Sequence, residues 1–236
     1  MINIKDFTKE YSNGNLAVDD ISFTVNNGEI FGFLGPNGAG KSTTIKTIVG
    51  INKPTKGTIT INGLNIKDDP IAYKKQFSYV PDNPFLFDKY SGYEYLNFIA
   101  DIYEVDEETR KERIEYYLKL FPIEGMDTQI SSYSHGMQQK LAIIGALLHD
   151  PDILILDEPM VGLDAKSSYN LKKIMRKRVN EGKSVIFSTH VMEIVENICD
   201  RVAIISKGKI VAYGTISELK QDGKTFEEVF LELTDE

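Results

Sequence analysis

Nine consecutive residues near the start of the sequence combine three glycines with a lysine and two hydroxyl residues. Residues 35–43 read Gly-Pro-Asn-Gly-Ala-Gly-Lys-Ser-Thr, which matches the pattern G-x-x-x-x-G-K-[ST]. Glycines let the backbone curl so that its N–H groups surround phosphate oxygens, and the helix predicted to follow adds partial positive charge at its N-terminus. The segment therefore predicts binding of a nucleoside triphosphate. The residues predicted to contact it are Gly35, Asn37, Gly38, Ala39, Gly40, Lys41, Ser42 and Thr43.

Three side chains of this loop have separate predicted tasks. Lys41 is expected to reach the outer phosphates as a point charge. Ser42 is expected to place its hydroxyl on Mg²⁺, and Thr43 to bond a phosphate nearer the ribose. A glycine-rich turn that happens to precede a helix is the alternative interpretation.

Two adjacent carboxylates follow an apolar run late in the sequence. Residues 153–156 read Ile-Leu-Ile-Leu and predict a buried strand, which ends at Asp157 and Glu158. Ligands of open parallel sheets bind at the carboxyl edge of the strands. We expect Asp157 to contact Mg²⁺ directly or through water, and Glu158 to polarise the water that attacks the terminal phosphate. Two acids that only end a strand are the alternative.

A further candidate segment stands before a predicted helix. Residues 133–137 read Tyr-Ser-His-Gly-Met, and apolar residues recur at helical spacing as far as Leu148. The N-terminus of this helix is suited to an anion. Taken alone, Ser134 is more typical of an ordinary N-cap; taken with the other segments, it is predicted to contact phosphate.

The elements that must position these residues alternate along the chain. Helical periodicity dominates from about residue 82 to residue 149, and it interrupts a pattern of strands and helices that implies a parallel sheet. We predict one domain over residues 1–236, in which 1–81 and 150–236 form a catalytic core with a β subdomain and 82–149 form an inserted helical subdomain. Strands are predicted at residues 2–7, 21–25, 30–34, 58–61, 153–156, 184–187 and 202–205, and helices of the core at 41–49, 166–180 and 191–199.

Composition narrows the possible functions. The net charge of −8 and the isoelectric point near 5.1 weigh against a general nucleic-acid binder, which needs a basic excess. The single cysteine, Cys199, cannot form an internal disulfide, and it predicts a reducing, cytoplasmic setting. The longest apolar stretch, residues 141–148, is far shorter than the ~20 residues of a membrane span, so we expect membrane association only through a partner.

The order and spacing of these segments resemble those of the nucleotide-binding domains of ABC transporters, over nearly the whole chain. The resemblance looks closest to the stand-alone ATP-binding subunits of ABC-2 type exporters, which commonly end in a segment similar to residues 227–233. It implies an α/β P-loop NTPase with a RecA-like, mostly parallel sheet, an antiparallel β subdomain and an inserted helical subdomain. The segments that carry it are residues 35–43, 134–136, 157–158, 162–164 and 188–190.

The resemblance also implies cofactors, partners and residue roles. ATP with Mg²⁺ would lie in a head-to-tail dimer, between the phosphate loop of one subunit and Ser134 and Gly136 of the other. Tyr11 looks like the aromatic residue that stacks on adenine, although a surface aromatic at a strand end is the alternative. His190 would sense the γ-phosphate, and Asp164 would communicate across the dimer. The implied partners are transmembrane permease subunits at the inner face of the cell membrane and a second ATPase subunit, in a homodimer or a heterodimer.

Two positions depart from the pattern of the family. The usual L-S-G-G-Q signature is here Tyr133-Ser134-His135-Gly136-Met137, which keeps the serine and the second glycine. The residue after Val80 and Pro81, usually glutamine, is Asp82, whose carboxylate is expected to hold Mg²⁺ through water but has no amide donor.

Seven aromatic residues lie between residues 85 and 103. They either belong to the core of the helical subdomain or form a groove for a short helix of a membrane subunit. The predicted function is ATP hydrolysis by a dimer that powers transport, in the direction of export. The alternatives are a soluble ABC ATPase acting on ribosomes or DNA, an importer subunit, and a module that binds ATP without useful hydrolysis. The aromatic residues are Phe85, Phe87, Tyr90, Tyr93, Tyr95, Phe98 and Tyr103.

Overall fold

The computed structural model describes residues 1–220 and 224–234, and this part of the chain contains two sheets and the helices that cover them. The strands are β1 Ile2–Glu10, β2 Leu16–Val25, β3 Ile30–Leu34, β4 Lys56–Ile61, β5 Leu64–Asn65, β6 Phe77–Val80, β7 Ile153–Asp157, β8 Ser184–Thr189, β9 Arg201–Ser206 and β10 Lys209–Thr215. The helices are α1 Lys41–Ile48, α2 Pro70–Lys75, α3 Gly92–Ile102, α4 Glu107–Leu120, α5 His135–Leu147, α6 Ala165–Asn180, α7 Met192–Ile198, α8 Ile216–Leu219 and α9 Phe226–Thr234, with a 3₁₀ turn at Ile130–Ser132.

The larger sheet brings the predicted chemical residues to one edge. Its strand order is β10-β9-β3-β8-β7-β6, and all neighbours are parallel except β9 and β10. Leu34 pairs with Thr189, and Asp157 pairs with Ser188, so β3, β7 and β8 end side by side. The loops after these three strands carry residues 35–40, Glu158 and His190. The predicted α/β class with a mostly parallel sheet is confirmed.

The smaller sheet packs against the larger one through aromatic side chains. It has the antiparallel order β2-β1-β4-β5. Phe23 of this sheet stacks on Phe31 and Phe33 of β3, with ring centroids 5.5 and 5.4 Å apart. Such offset stacked pairs add stability beyond the burial of their area, by about 0.5–1.5 kcal/mol each. This interface holds β3, and therefore the loop that follows it, in a fixed place.

Helices α3, α4 and α5 pack together and share one buried core with the larger sheet. Leu96, Ile114, Phe121 and Leu141 are buried together there, and α5 continues the core onto the sheet. The division of the chain at residues 82 and 149 stays a prediction. Within residues 1–220 and 224–234, no helix has the length and apolar character needed to cross a membrane.

Some elements carry weak sequence signals. Strand β10 pairs antiparallel with β9, whereas the last strand predicted from sequence ends at residue 205. The two-residue strand β5 and the helix α2 were also not among the predicted elements. Helix α9 packs Phe226 and Phe230 into a cluster with Val195 and Ile204, which closes that side of the larger sheet.

Candidate active site

The loop of residues 35–40 connects β3 directly to α1. Gly40 precedes the helix with a φ of 112°, in the region that favours glycine, and a Cβ built there would lie 2.7 Å from the carbonyl oxygen of Ala17. The loop is therefore packed against the start of β2. Because α1 begins at Lys41, the N–H groups of its first turn are available to an anion at the loop.

Lys41 is buried beneath this loop, with 6% of its side chain exposed. Its ammonium group donates hydrogen bonds to the carbonyl oxygens of Gly35 and Pro36. It also lies 3.9 Å from a carboxylate oxygen of Glu158. The ammonium charge is thus held next to the carboxylate predicted to act on water.

Asp157 is almost fully buried, at 1% exposure, yet one of its oxygens has no hydrogen-bond partner. The Ser42 hydroxyl donates to Oδ1 over 3.2 Å, and the Ser188 hydroxyl donates to the same oxygen. Oδ2 is the unpartnered atom. A buried carboxylate oxygen without a partner is costly, unless a ligand supplies one.

Glu158 has an unusual backbone conformation for a residue with a side chain, with a φ of 47°. Its N–H donates to the carbonyl oxygen of Ser188 over 3.2 Å and to the hydroxyl of the same residue over 3.1 Å. The carboxylate lies 3.0 Å from Nδ1 of His190, which is about half exposed. Strained positions persist where surrounding contacts over-determine them, and here the two hydrogen bonds to Ser188 hold the Glu158 backbone in place.

Lys41, Ser42 and Glu158 line a cavity of about 530 Å³ at the carboxyl edge of the larger sheet. Of the residues predicted from sequence, the lining contains Tyr11, Asn37, Gly38, Gly40, Lys41, Ser42, Thr43, Asp82 and Glu158. Gly35, Ala39, Asp157 and His190 are adjacent to it through the loop and the contacts given above. The Tyr11 hydroxyl is 3.3 Å from the Thr43 hydroxyl, so the aromatic ring stands beside the start of α1.

Five lining residues were missed by the sequence analysis. They are Asn15, Leu16, Ala17, Lys207 and Gly208. Asn15 immediately precedes β2, Leu16 and Ala17 begin it, and the last two residues form the turn between β9 and β10. A Lys-Gly pair between two apolar runs is a turn signal, but the turn's position over the cavity has no local signature.

The segment of residues 134–136 starts α5 and packs against the turn that precedes α6. The Ser134 hydroxyl accepts a hydrogen bond from the N–H of Met137 over 3.3 Å, as an N-cap does. A Cβ at Gly136 would lie 2.5 Å from the carbonyl oxygen of Gly162, so only glycine permits this contact. Nearby, the Lys140 ammonium contacts the Asp164 carboxylate at 2.6 Å.

Asp164 also caps α6 by accepting hydrogen bonds from the N–H and the hydroxyl of Ser167, both at 2.8 Å. The hydrogen bond from Lys140, and to a smaller extent those from Ser167, stabilise the ionised carboxylate and hold the pKa of Asp164 well below its ordinary value. The carboxylate is therefore ionised at neutral pH. The ion pair between Lys140 and Asp164 therefore joins the turn of residues 162–164 to α5 within one chain.

Comparison with known proteins decides which family has this arrangement. The sequence pattern of the family described as ABC transporter matches residues 18–161. The chain belongs to the ABC transporter family. It is 36% identical over 241 residues to the ABC-type transporter ATP-binding protein EcsA of Bacillus subtilis, covering 100% of this chain and 97% of EcsA. It is 34% identical over 230 residues to the SkfA peptide export ATP-binding protein SkfE of the same organism, covering 97% of this chain and 95% of SkfE.

A solved structure supports the same assignment. The structure described as the ATP-binding subunit of an ABC transporter superposes with a TM-score of 0.93 at 33% sequence identity, and 99% of each chain is covered. The predicted P-loop NTPase fold is confirmed. This chain is an ABC transporter ATP-binding subunit and an ATPase.

The segment of residues 134–136 does not reach the cavity beside the loop of residues 35–40. Neither Ser134 nor Gly136 is among the residues that line the cavity. Asp164 is also outside the lining. Within the chain, the phosphate loop and the signature segment are thus two separate surfaces.

Proposed function

We propose that this ABC ATPase works as a head-to-tail dimer, whose closure and reopening drive export of a substrate through separate transmembrane subunits at the inner face of the membrane. The observation that carries the dimer is the separation just described. The cavity has a lysine and hydroxyl groups suited to ATP phosphates and a carboxylate suited to water, but the start of α5, which is also suited to an anion, is not part of its lining. A second copy turned head to tail would place its Ser134 over the cavity.

Mg²⁺ fits the residues beside the phosphate loop. Oδ2 of Asp157 is buried without a partner, and its other oxygen is already bonded to Ser42. Carboxylate and hydroxyl oxygens are the ligands that Mg²⁺ prefers, with ATP phosphates and water completing the shell. We assign Ser42 and Asp157 to the ion, and Asp82, which lines the cavity, to a contact through water. When bound, Mg²⁺ neutralises charge on the phosphates.

The protein's own groups then have distinct proposed roles. Lys41 binds the outer phosphates, and Tyr11 stacks on the adenine. Glu158 takes the proton of the attacking water, because its carboxylate lines the cavity and its backbone is fixed by Ser188. His190 bonds the same carboxylate and contacts the γ-phosphate, so loss of that phosphate changes the environment of Glu158.

Closure of one site is coupled to the other through the turn of residues 162–164. This turn begins four residues after Glu158, touches Gly136 and is paired with Lys140. A displacement of the turn therefore moves the start of α5, which serves the neighbouring copy's ATP in the proposed dimer. We assign Asp164 to this communication.

A groove near the cavity is proposed as the contact with the membrane subunit. It has a volume of about 190 Å³ and lies between Phe85, Tyr95, Tyr103 and His149. Phe85 is 92% exposed, whereas the ring of His149 stacks on Tyr103 with centroids 3.5 Å apart. Burial is the main cause that lowers the pKa of His149, to about 4, and the positive charge of Arg178 lowers it further. The His149 side of the groove is therefore uncharged at neutral pH. An uncharged aromatic groove suits the apolar face of a short helix.

Replacing Phe85 by Ser is expected to weaken the attachment to membranes that contain the transporter. An aromatic anchor that fills a partner's pocket contributes about 2 kcal/mol or more, so most of the bound fraction should be lost. The measurement is the share of tagged protein that sediments with membranes of the native host. Ile71→Ser is the matched control, because Ile71 is 71% exposed on α2 and lies outside the groove. Equal sedimentation of the two variants would contradict the assignment of the groove.

The dimer is tested by mixing two inactive variants. Lys41→Ala removes a phosphate contact and Ser134→Ala removes the signature hydroxyl. In a head-to-tail heterodimer, one of the two sites keeps the intact Lys41 of one chain and the intact Ser134 of the other. We therefore expect phosphate release by the mixture to exceed the sum of the separate variants several-fold.

Two controls make the mixing experiment decisive. Doubling the concentration of either variant alone should not restore activity, since every site then carries the same defect. A mixture no more active than its components would show that Lys41 and Ser134 do not act across a dimer.

The direction of transport is supported separately by the likeness to SkfE, whose name describes peptide export.

A further inference from the structure

The nucleotide cavity contains a second lysine that no sequence motif identifies. Among the described residues that line it, Lys41 and Lys207 are the cations, and Asp82 and Glu158 are the acids. A bound triphosphate adds several negative charges to a protein whose net charge is already −8. Additional positive charge at the cavity therefore favours binding.

Lys207 has a fixed place because its turn is bonded on both sides. Lys207 and Gly208 have φ values of 48° and 80°, as the two central residues of a tight hairpin turn between β9 and β10 do. The N–H of Gly208 donates to the carbonyl oxygen of Ala39, in the phosphate loop, over 3.0 Å. The carbonyl oxygen of Gly208 accepts from the N–H of Asp19, on β2, over 2.8 Å.

These bonds place Lys207 on the phosphate side of the cavity. Ala39 lies at the crest of the loop that surrounds the phosphates, two residues before Lys41. Tyr11, proposed to stack on the base, is bonded instead to Thr43 at the start of α1. Lys207 itself lines the cavity, and its flexible four-carbon stem gives the ammonium group a range of positions from which to meet a phosphate.

We propose that Lys207 is a nucleotide-binding residue, which contacts the ATP phosphates as a second cation beside Lys41. The inference rests on ATP binding at this cavity. Because Lys207 is exposed to solvent, its contribution is screened by salt and amounts to a few-fold in affinity.

The test compares two lysines that lie two residues apart. Wild type, Lys207→Gln and Lys209→Gln are titrated with adenosine, MgADP and the Mg²⁺ complex of β,γ-imido-ATP. At low salt, Lys207→Gln is expected to weaken the binding of imido-ATP by about 3- to 10-fold. The loss of MgADP affinity should not exceed the loss of imido-ATP affinity. Both losses should be smaller at about 0.15 M salt, because salt screens the charge. Adenosine binding should not change, and Lys207→Arg should restore affinity. Lys209 carries the same charge but pairs with Asp19 at 3.2 Å and does not line the cavity, so Lys209→Gln should behave as wild type.

The possible outcomes separate this inference from the proposed function. Equal affinities of wild type and Lys207→Gln for imido-ATP would overturn the role of Lys207 while leaving ATP binding intact. A loss shared by Lys209→Gln would indicate a general effect of surface charge, and a loss that includes adenosine would indicate a distorted cavity; either result overturns the proposal. A wild-type protein that does not bind imido-ATP would overturn the proposed function together with this inference.

Discussion

A Glu158→Gln variant is expected to bind ATP with nearly wild-type affinity and to lose turnover by about 10²- to 10⁴-fold, the usual contribution of general base catalysis. Glutamine keeps the size of the side chain and its bond to His190 but cannot accept a proton from water. Binding and dimer closure precede hydrolysis, so the variant should accumulate as a closed dimer with ATP. Phosphate release and size-exclusion chromatography with ATP measure the two effects.

The matched control for Glu158→Gln is Glu193→Gln. Glu193 follows His190 by three residues and is exposed in the first turn of α7, so its loss removes the same charge from the neighbourhood without touching the cavity. It should retain both turnover and the wild-type elution profile. Turnover by Glu158→Gln close to wild type would remove Glu158 from the role of base, and elution only as a monomer with ATP would count against the closed dimer.

The parts of the site that follow from sequence are those encoded by neighbouring residues. The phosphate loop is one example, because its glycines, its lysine and the helix after it all lie within residues 35–48. The strand that ends at Asp157 is another, since an unbroken apolar run predicts a strand buried on both faces. Parallel strands share one carboxyl edge, and for that reason the sequence alone predicts that Asp157, Glu158 and His190 lie together.

The parts that did not follow from sequence depend on contacts between distant residues. Lys207 reaches the cavity because the turn after β9 is bonded to Ala39, which is 168 residues earlier in the chain. The pair of Lys140 and Asp164 likewise joins two helices. The φ of 47° at Glu158 is another example, because nothing in a carboxylate residue predicts it. It follows from the hydrogen bonds that Ser188 offers across the sheet.

The aromatic residues between 85 and 103 divide between the two interpretations given for them. Phe85, Phe87, Tyr90 and Tyr93 are exposed, whereas Tyr95, Phe98 and Tyr103 are partly buried. Spacing alone could not separate these groups, since both kinds of aromatic residue occur on α3, where Tyr93 is exposed and Tyr95 and Phe98 are partly buried. Exposed apolar side chains that lie together mark interaction sites, and the exposed rings of Phe87 and Tyr90 contact each other with centroids 5.2 Å apart.

Replacing Lys41 by Ala is expected to weaken binding of the outer phosphates by about 10- to 100-fold. A hydrogen bond to a charged group contributes about 1.5–3 kcal/mol, and 1.4 kcal/mol corresponds to a factor of ten in affinity. The loss should be larger for imido-ATP than for ADP and absent for adenosine, because Lys41 acts on the far end of the phosphate chain. Equilibrium titration with the three ligands measures this series directly.

The interpretation of Lys41→Ala depends on separating charge from loop structure, because the ammonium group also bonds the carbonyl oxygens of Gly35 and Pro36. Lys41→Met keeps the apolar stem and removes the charge, so a loop effect would make it milder than Lys41→Ala, whereas a phosphate contact predicts equal losses. Lys46→Ala, on the exposed face of the same helix, controls for the general loss of a cation. Both Lys41 variants remove the ammonium group, which lies in the cavity 3.9 Å from Glu158. Unchanged imido-ATP affinity in both of them would therefore exclude Lys41 from phosphate binding.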